Sequence, residues 1–142
     1  MSLLTLTIPG EPHAQGRPRV AVINGRPRVY DPAPSRKWKA AAAKVIQAAM
    51  LERGVETITG PITMTLFAVF SRPRSSYRKR EPRGREPRVT KPDADNVAKA
   101  VMDAAESAGL FQRDSQVYSL TVTKITGAQD EAPRVEVTVI ES

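Results

Sequence analysis

Residues 3–8 read Leu-Leu-Thr-Leu-Thr-Ile, and Pro9-Gly10 ends the run. That alternation predicts a first strand. Residues 20–23 and 28–30 flank Asn24-Gly25, a dipeptide that tolerates the positive φ angles of a tight turn, so a short hairpin is expected. The period then lengthens. Trp38, Ala42, Val45, Ile46, Ala49 and Met50 recur at helical spacing and make one apolar stripe. Ser35 is the expected N-cap, the body runs through Glu52, and Gly54 is the expected stop.

After Gly60-Pro61, Ile62, Met64, Leu66, Ala68 and Phe70 point one way, and Thr63, Thr65, Phe67 and Val69 the other. This predicts a central strand, covered on both sides at its later end. Residues 71–92 show no period and hold four prolines, which reads as an extended, mobile loop. Asp93-Ala94-Asp95-Asn96 leads into a second helix, with Val97, Val101, Ala104, Ala105 and Ala108 on its apolar face and Gly109 as its stop. Residues 116–125 and 133–140 read as the last two strands. The connection between them is long enough for a hairpin without requiring one.

The order of strands and helices predicts an α+β (mixed α/β) fold, with two main helices covering one face of a mixed sheet. The opposite face is then a candidate for a dimer surface or for DNA. At 142 residues, one compact domain spanning 1–142 is expected. No apolar run approaches the roughly 20 residues that cross a bilayer, and the N-terminus lacks the pattern of a secretion signal. The expectation is a cytoplasmic protein with no membrane partner. With no Cys and one His, disulfides, thiol nucleophiles and Cys- or His-rich metal sites are excluded.

Charge adds the decisive asymmetry. The chain carries 22 Lys and Arg against 15 Asp and Glu. Residues 71–91 hold Arg72, Arg74, Arg78, Lys79, Arg80, Arg83, Arg85, Arg88 and Lys91 against Glu81 and Glu86, which is nine minus two, or the whole net charge of +7. Arginine's planar fork suits phosphate, so this loop reads as a nucleic-acid surface, the alternative being a solvated face. Arg17 and Arg19, on either side of Pro18, are further candidates for phosphate contact.

Asp93 and Asp95 adjoin the basic loop at the entrance to the second helix. If Asp93 is extended and Asp95 lies at or near the N-cap, the two carboxylates can converge on one cation beside the helix amides. Lys99 follows Asp95 by one turn and Asp103 by two. Asp114 lies in the loop after the helix, free on sequence grounds to fold towards either helix end. Hard oxygen ligands and an ammonium suit Mg²⁺-assisted phosphodiester hydrolysis. The plainer alternative is a capping aspartate, an exposed neighbour and an ordinary Asp95–Lys99 ion pair.

The run Lys91-Pro-Asp-Ala-Asp-Asn-Val-Ala-Lys-Ala-Val-Met-Asp-Ala, followed by Ala108-Gly-Leu, Asp114-Ser-Gln-Val and Lys124, resembles the signature of the RusA family of Holliday junction resolvases. Gly10-Glu-Pro-His-Ala-Gln-Gly-Arg-Pro-Arg and Tyr30-Asp-Pro resemble that family's opening. The resemblance implies that Asp93, Asp95 and Asp114 bind Mg²⁺, with Mn²⁺ as a substitute, that Lys99 is the essential lysine, and that Asn96 and Asp103 support the site. It further implies a homodimer that cuts four-way DNA junctions in pairs, leaving 5′-phosphate and 3′-hydroxyl ends, and a bacterial or phage origin. A twofold enzyme suits a substrate with two equivalent strands. An inactive relative that only binds branched DNA is the alternative.

Two positions depart from the pattern. Arg113 stands where the family often has a second aspartate and reads as a phosphate contact, and Gln15 stands where a lysine is frequent. Among other side chains, His13 is expected to be exposed, Trp38 to pack in the core or a dimer surface, and Tyr77 either to stack on a base or to anchor its loop. Arg36 and Lys37 read equally as a DNA contact or a solvated helix end.

Overall fold

The computed structural model describes residues 3–14, 19–30 and 32–142. Among them, seven strands and two α-helices follow one another as β1 (Leu3–Pro9), β2 (Arg19–Ile23), β3 (Arg26–Tyr30), α1 (Ala33–Arg53), β4 (Ile62–Phe70), β5 (Glu86–Pro87), α2 (Ala94–Ala108), β6 (Val117–Thr126) and β7 (Arg134–Glu141). Five strands form one mixed sheet in the order β1-β7-β4-β6-β5, while β2 and β3, among the described residues, pair only with each other. The fold is the expected mixed α/β domain with two main helices.

β4 sits at the centre of the sheet, antiparallel to β7 and parallel to β6. Its last residues, Ala68, Val69 and Phe70, are all buried, so both faces are covered at that end. β6 and β7 are consecutive but not neighbours, because β4 lies between them. Their connection is therefore a crossing over β4 and not a hairpin.

Both helices lie on one face. Ala42, Ile46 and Met50 of α1 meet Val97, Val101, Ala104 and Ala105 of α2 over Leu4, Leu6, Met64, Leu66, Val135 and Val137. Small alanines let the helices approach the sheet closely, which is how a chain with 5% aromatic residues fills its core. Across the other face runs a row of threonines, Thr5–Thr138–Thr65–Thr121, one from each of four strands.

The helix ends differ in one respect from the sequence reading. Gly54 and Gly109 end α1 and α2 with φ of 66° and 82°, a conformation glycine adopts without strain. Ser35, however, is not the N-cap of α1. Pro32 occupies that position and a proline follows in the first turn, where a missing N–H costs no helical hydrogen bond. Ser35 lies one turn inside, buried, with its hydroxyl 2.9 Å from Nε2 of His13. His13 stacks on Trp38 at 6.0 Å, which ties the opening segment to α1 and half-buries the imidazole. Burial, followed by the charge of Lys39, holds its pKa below the ordinary 6.5.

Candidate functional site

Asp93 is the N-cap of α2, with φ −67° and ψ 150°, and Asp95 lies within the first turn. The carbonyl of Asp93 accepts hydrogen bonds from the amides of Asn96 and Val97, at 3.1 and 3.2 Å. Its carboxylate makes no capping hydrogen bond. Asp93, Asp95 and Lys99 are exposed and Asn96 is half-buried. Among the described residues no ion pair joins Asp95 to Lys99. Neither plain structural role foreseen for this cluster, a side-chain cap or a helix ion pair, is what the carboxylates do. They stand open at a helix end whose unpaired amides favour negative charge.

The turn that delivers Asp93 is held from below by Lys124. This lysine lies on the helix-covered face of β6, in line with Leu120 and Val122, and its Nζ donates to the carbonyls of Thr90 and Pro92 at 3.0 and 2.6 Å. Lys124 belongs to the family-like signature without an assigned role, and its signal in the sequence is a cation on the strand face that otherwise packs against a helix.

Asp114 lies at the other end of α2. It opens a 3₁₀ turn, Asp114–Gln116, after the helix has ended at Gly109. Gln116 fixes this loop with all four of its amide hydrogen bonds. Oε1 accepts from the amides of Gln112 and Arg113 at 2.8 and 2.9 Å, and Nε2 donates to the carbonyls of Ile58 and Gly60 at 2.9 and 3.1 Å. Asp114 and Arg113 project from it, exposed. A 15-residue helix spans about 22 Å at 1.5 Å per residue, so the Asp93–Asp95 pair and Asp114 of one chain are separated by roughly that length. Accordingly, no group of three His, Cys, Asp or Glu side chains that could hold a metal ion occurs among the described residues of the single chain. Asp103, taken as a supporting residue, reaches Lys39 of α1 at 3.3 Å and ties the helices together.

The basic segment has a defined course. Arg72 is buried, and its guanidinium donates to Gly127 O at 3.1 Å, Glu86 Oε1 at 2.8 Å and Gly84 O at 3.0 Å. Arg85 donates to both carboxylate oxygens of Glu131 and lies 5.5 Å from the ring of Phe67. Arg88 donates to Lys91 O and lies over Phe70 at 4.3 Å. The side chain of Gln129 accepts from the amides of Arg78 and Arg83, and the hydroxyl of Tyr77 accepts from the amide of Asp130. Tyr77 is thus a loop anchor. Arg72, Arg85 and Arg88 spend their donors on the protein itself, Arg83 is half-buried, and Arg74 lies 5.9 Å from the Tyr77 ring. Arg78, Lys79, Arg80 and Lys91 remain exposed. Arg19 is exposed on β2, and Arg17 lies outside the described residues.

No helix among the described residues is long and apolar enough to cross a membrane. A sequence model described as endodeoxyribonuclease RusA matches residues 9–140. The chain is also similar to the uncharacterized protein YqaN of Bacillus subtilis (strain 168), with 39% identity over 146 residues that cover 99% of this chain and 98% of the relative.

Proposed function

Since the chain belongs to the endodeoxyribonuclease RusA family, we propose that it resolves four-way DNA junctions by paired, Mg²⁺-dependent hydrolysis, leaving 5′-phosphate and 3′-hydroxyl ends. The observation that carries this reading is the pair Asp93 and Asp95, exposed at the start of α2 with no capping bond and no ion pair to Lys99. Carboxylate oxygens are the hard donors that Mg²⁺ prefers. The cation, when bound, supplies Lewis acidity to the scissile phosphate. Lys99, one turn beyond Asp95, offers an ammonium where negative charge builds on the phosphate oxygens. Water attacks phosphorus, the bond to the 3′-oxygen breaks, and that oxygen leaves with a proton.

Two carboxylates at one end of α2 and a third at the other leave each site of a single chain incomplete. The reading that reconciles them is a twofold homodimer in which Asp93, Asp95 and Lys99 of each copy meet Asp114 of the other. β6 favours such an arrangement. β5 pairs with Ile125 and Thr126 and the amide of Arg88 donates to Lys124 O at 3.1 Å, so among the described residues that edge of β6 has no strand beside it over residues 118–123, and Leu120 is 42% exposed there. An open edge is a template for pairing with another chain. Antiparallel contact about a twofold axis near its midpoint sets the Asp114 end of one copy against the Asp93 end of the other, twice. Two sites related in this way match two equivalent strands of a junction.

Arg78, Lys79 and Arg80 of the basic segment, and Lys91 two residues before Asp93, hold the phosphate backbone, with Arg113 contributing beside Asp114. The bacterial relative fits a protein acting on chromosomal or phage DNA in the cytoplasm. The test is cleavage of a labelled four-way junction and a matched linear duplex, in Mg²⁺ or EDTA, by wild type and Asp95→Asn. Paired nicks confined to the junction, requiring Mg²⁺ and absent in the variant, are expected. Tight junction binding without any cut would overturn the catalytic reading.

A further inference from the structure

Among the described residues the β2–β3 hairpin pairs with no other strand. Every residue of it is exposed except Ala21, which is half-buried. Such a two-stranded ribbon has little to stabilise it in water by itself. Its turn, Asn24-Gly25 with φ of 52° and 74°, matches the twist of the strands and fixes the register, which sorts the side chains into two unlike faces. Val20 faces Val29 and Val22 faces Pro27 on one side. On the other, Arg19 faces Tyr30, Ala21 faces Arg28 and Ile23 faces Arg26. Three guanidinium groups therefore share one face, and residues 19–30 contain no Asp or Glu.

We infer that this hairpin is a second DNA-contacting element, which lays its Arg19–Arg28–Arg26 face along the phosphate backbone of a duplex arm of the junction. Arg26 and Arg28 are two residues apart on one strand, about 6.7 Å at strand rise. Adjacent phosphates of one DNA strand rise about 3.4 Å along the helix axis and, because the backbone winds around that axis, lie roughly twice as far apart through space, so neighbouring phosphates are spaced to meet the two arginines. The charge of this face is uncompensated within the hairpin, whereas Arg72 and Arg85 in the longer basic segment are paired with Glu86 and Glu131. This inference rests on the nuclease reading and adds to it a surface outside the carboxylate site and outside residues 71–91.

The test compares Arg26→Gln/Arg28→Gln with a control that removes the same charge from exposed positions of α1, Lys44→Gln/Arg53→Gln. Binding of the full-length protein to a labelled four-way junction is followed in EDTA through a NaCl titration, so that no cutting intervenes. The hairpin variant should lower the slope of log affinity against log salt by nearly two, at about 0.9 per lost phosphate contact, with about a tenfold or greater loss of affinity. The control should move the slope by less than about half a contact. Equal slopes for wild type and the hairpin variant would overturn the inference while leaving the nuclease reading in place. A hairpin variant that binds DNA as wild type but sediments as a monomer would assign the ribbon to contact between copies and overturn it as well. Wild-type protein that binds no junction at all would remove both readings together.

Discussion

Nζ of Lys124 lies 2.6 Å from the carbonyl oxygen of Pro92, the residue before the Asp93 N-cap of α2. A second hydrogen bond, to Thr90 O at 3.0 Å, makes this ammonium the fastening of the turn that presents the carboxylate pair. Lys124→Met keeps the stem and removes both charged donors. A stability loss of about 2 kcal/mol is expected by urea denaturation, for hydrogen bonds of this type. Well below the unfolding transition, junction cutting should fall about tenfold or more and need more Mg²⁺, as expected when a metal ligand is less well oriented. Lys124→Arg should recover part of both. Unchanged Mg²⁺ dependence in the methionine variant would show that the turn holds without its lysine.

Gln116 makes a separable prediction at the other end of α2. Its four hydrogen bonds join the Asp114 loop to the strand-entry segment at Ile58 and Gly60. Gln116→Ala strands two carbonyls and two amides and should cost about 2–3 kcal/mol. Gln116→Glu keeps the acceptor but sets a carboxylate against both carbonyls, so it should not rescue. Asp114→Asn, on an exposed side chain, should leave stability within about 0.5 kcal/mol and abolish cutting. Urea midpoints set beside cleavage rates separate the two effects. A destabilised Asp114→Asn protein would assign that residue a structural role.

Below pH 4.5 the stability has an identifiable source in Glu131. Hydrogen bonds from Arg85, the amide of Ala128 and Arg134 hold the Glu131 carboxyl at about 2, down from 4.5. A depressed carboxyl pKa means that the unfolded chain takes up the proton first. The contribution of Glu131 is therefore fully present above pH 4.5 and is lost as pH falls towards 2. Denaturant midpoints of wild type should decline through that window more steeply than those of Glu131→Gln. Parallel declines would place the acid sensitivity on other carboxylates.

Much of this fold was legible because period and punctuation act locally. The alternation of residues 62–70 marked a strand covered on both faces, and Asn24-Gly25, Gly54 and Gly109 marked the turn and helix ends where positive φ is observed. Pairing order was not legible. Alternation says which face a side chain takes and not which strand lies alongside, so β7 on the far side of β4 from β6 had no local signal. Ser35 has the chemistry of a cap, but with a proline in the first turn the cap position falls at Pro32 and the helix starts at Ala33. The carboxylates were legible as residue types, and their separation along α2 was not, since a short loop leaves both directions open. The basic segment read as a uniform charge run, yet Glu86, Glu131, Gly84 and Gly127 engage Arg72 and Arg85 within the protein. Only contacts distant in sequence separate those arginines from Arg78, Lys79 and Arg80.

A nuclease whose two sites each draw carboxylates from both copies can be tested directly by complementation. Asp93→Asn and Asp114→Asn chains, carrying different tags, are co-expressed, the mixed dimer is isolated, and its cutting of a labelled four-way junction in Mg²⁺ is compared with that of each parent. In the mixed dimer one site loses both residues and the other regains a full set. Single-strand nicking by the mixed dimer, with none from either parent and none in EDTA, is the predicted result. A mixed dimer as inactive as its parents, beside a wild-type dimer that cuts, would contradict the shared site and place each set of carboxylates within one chain.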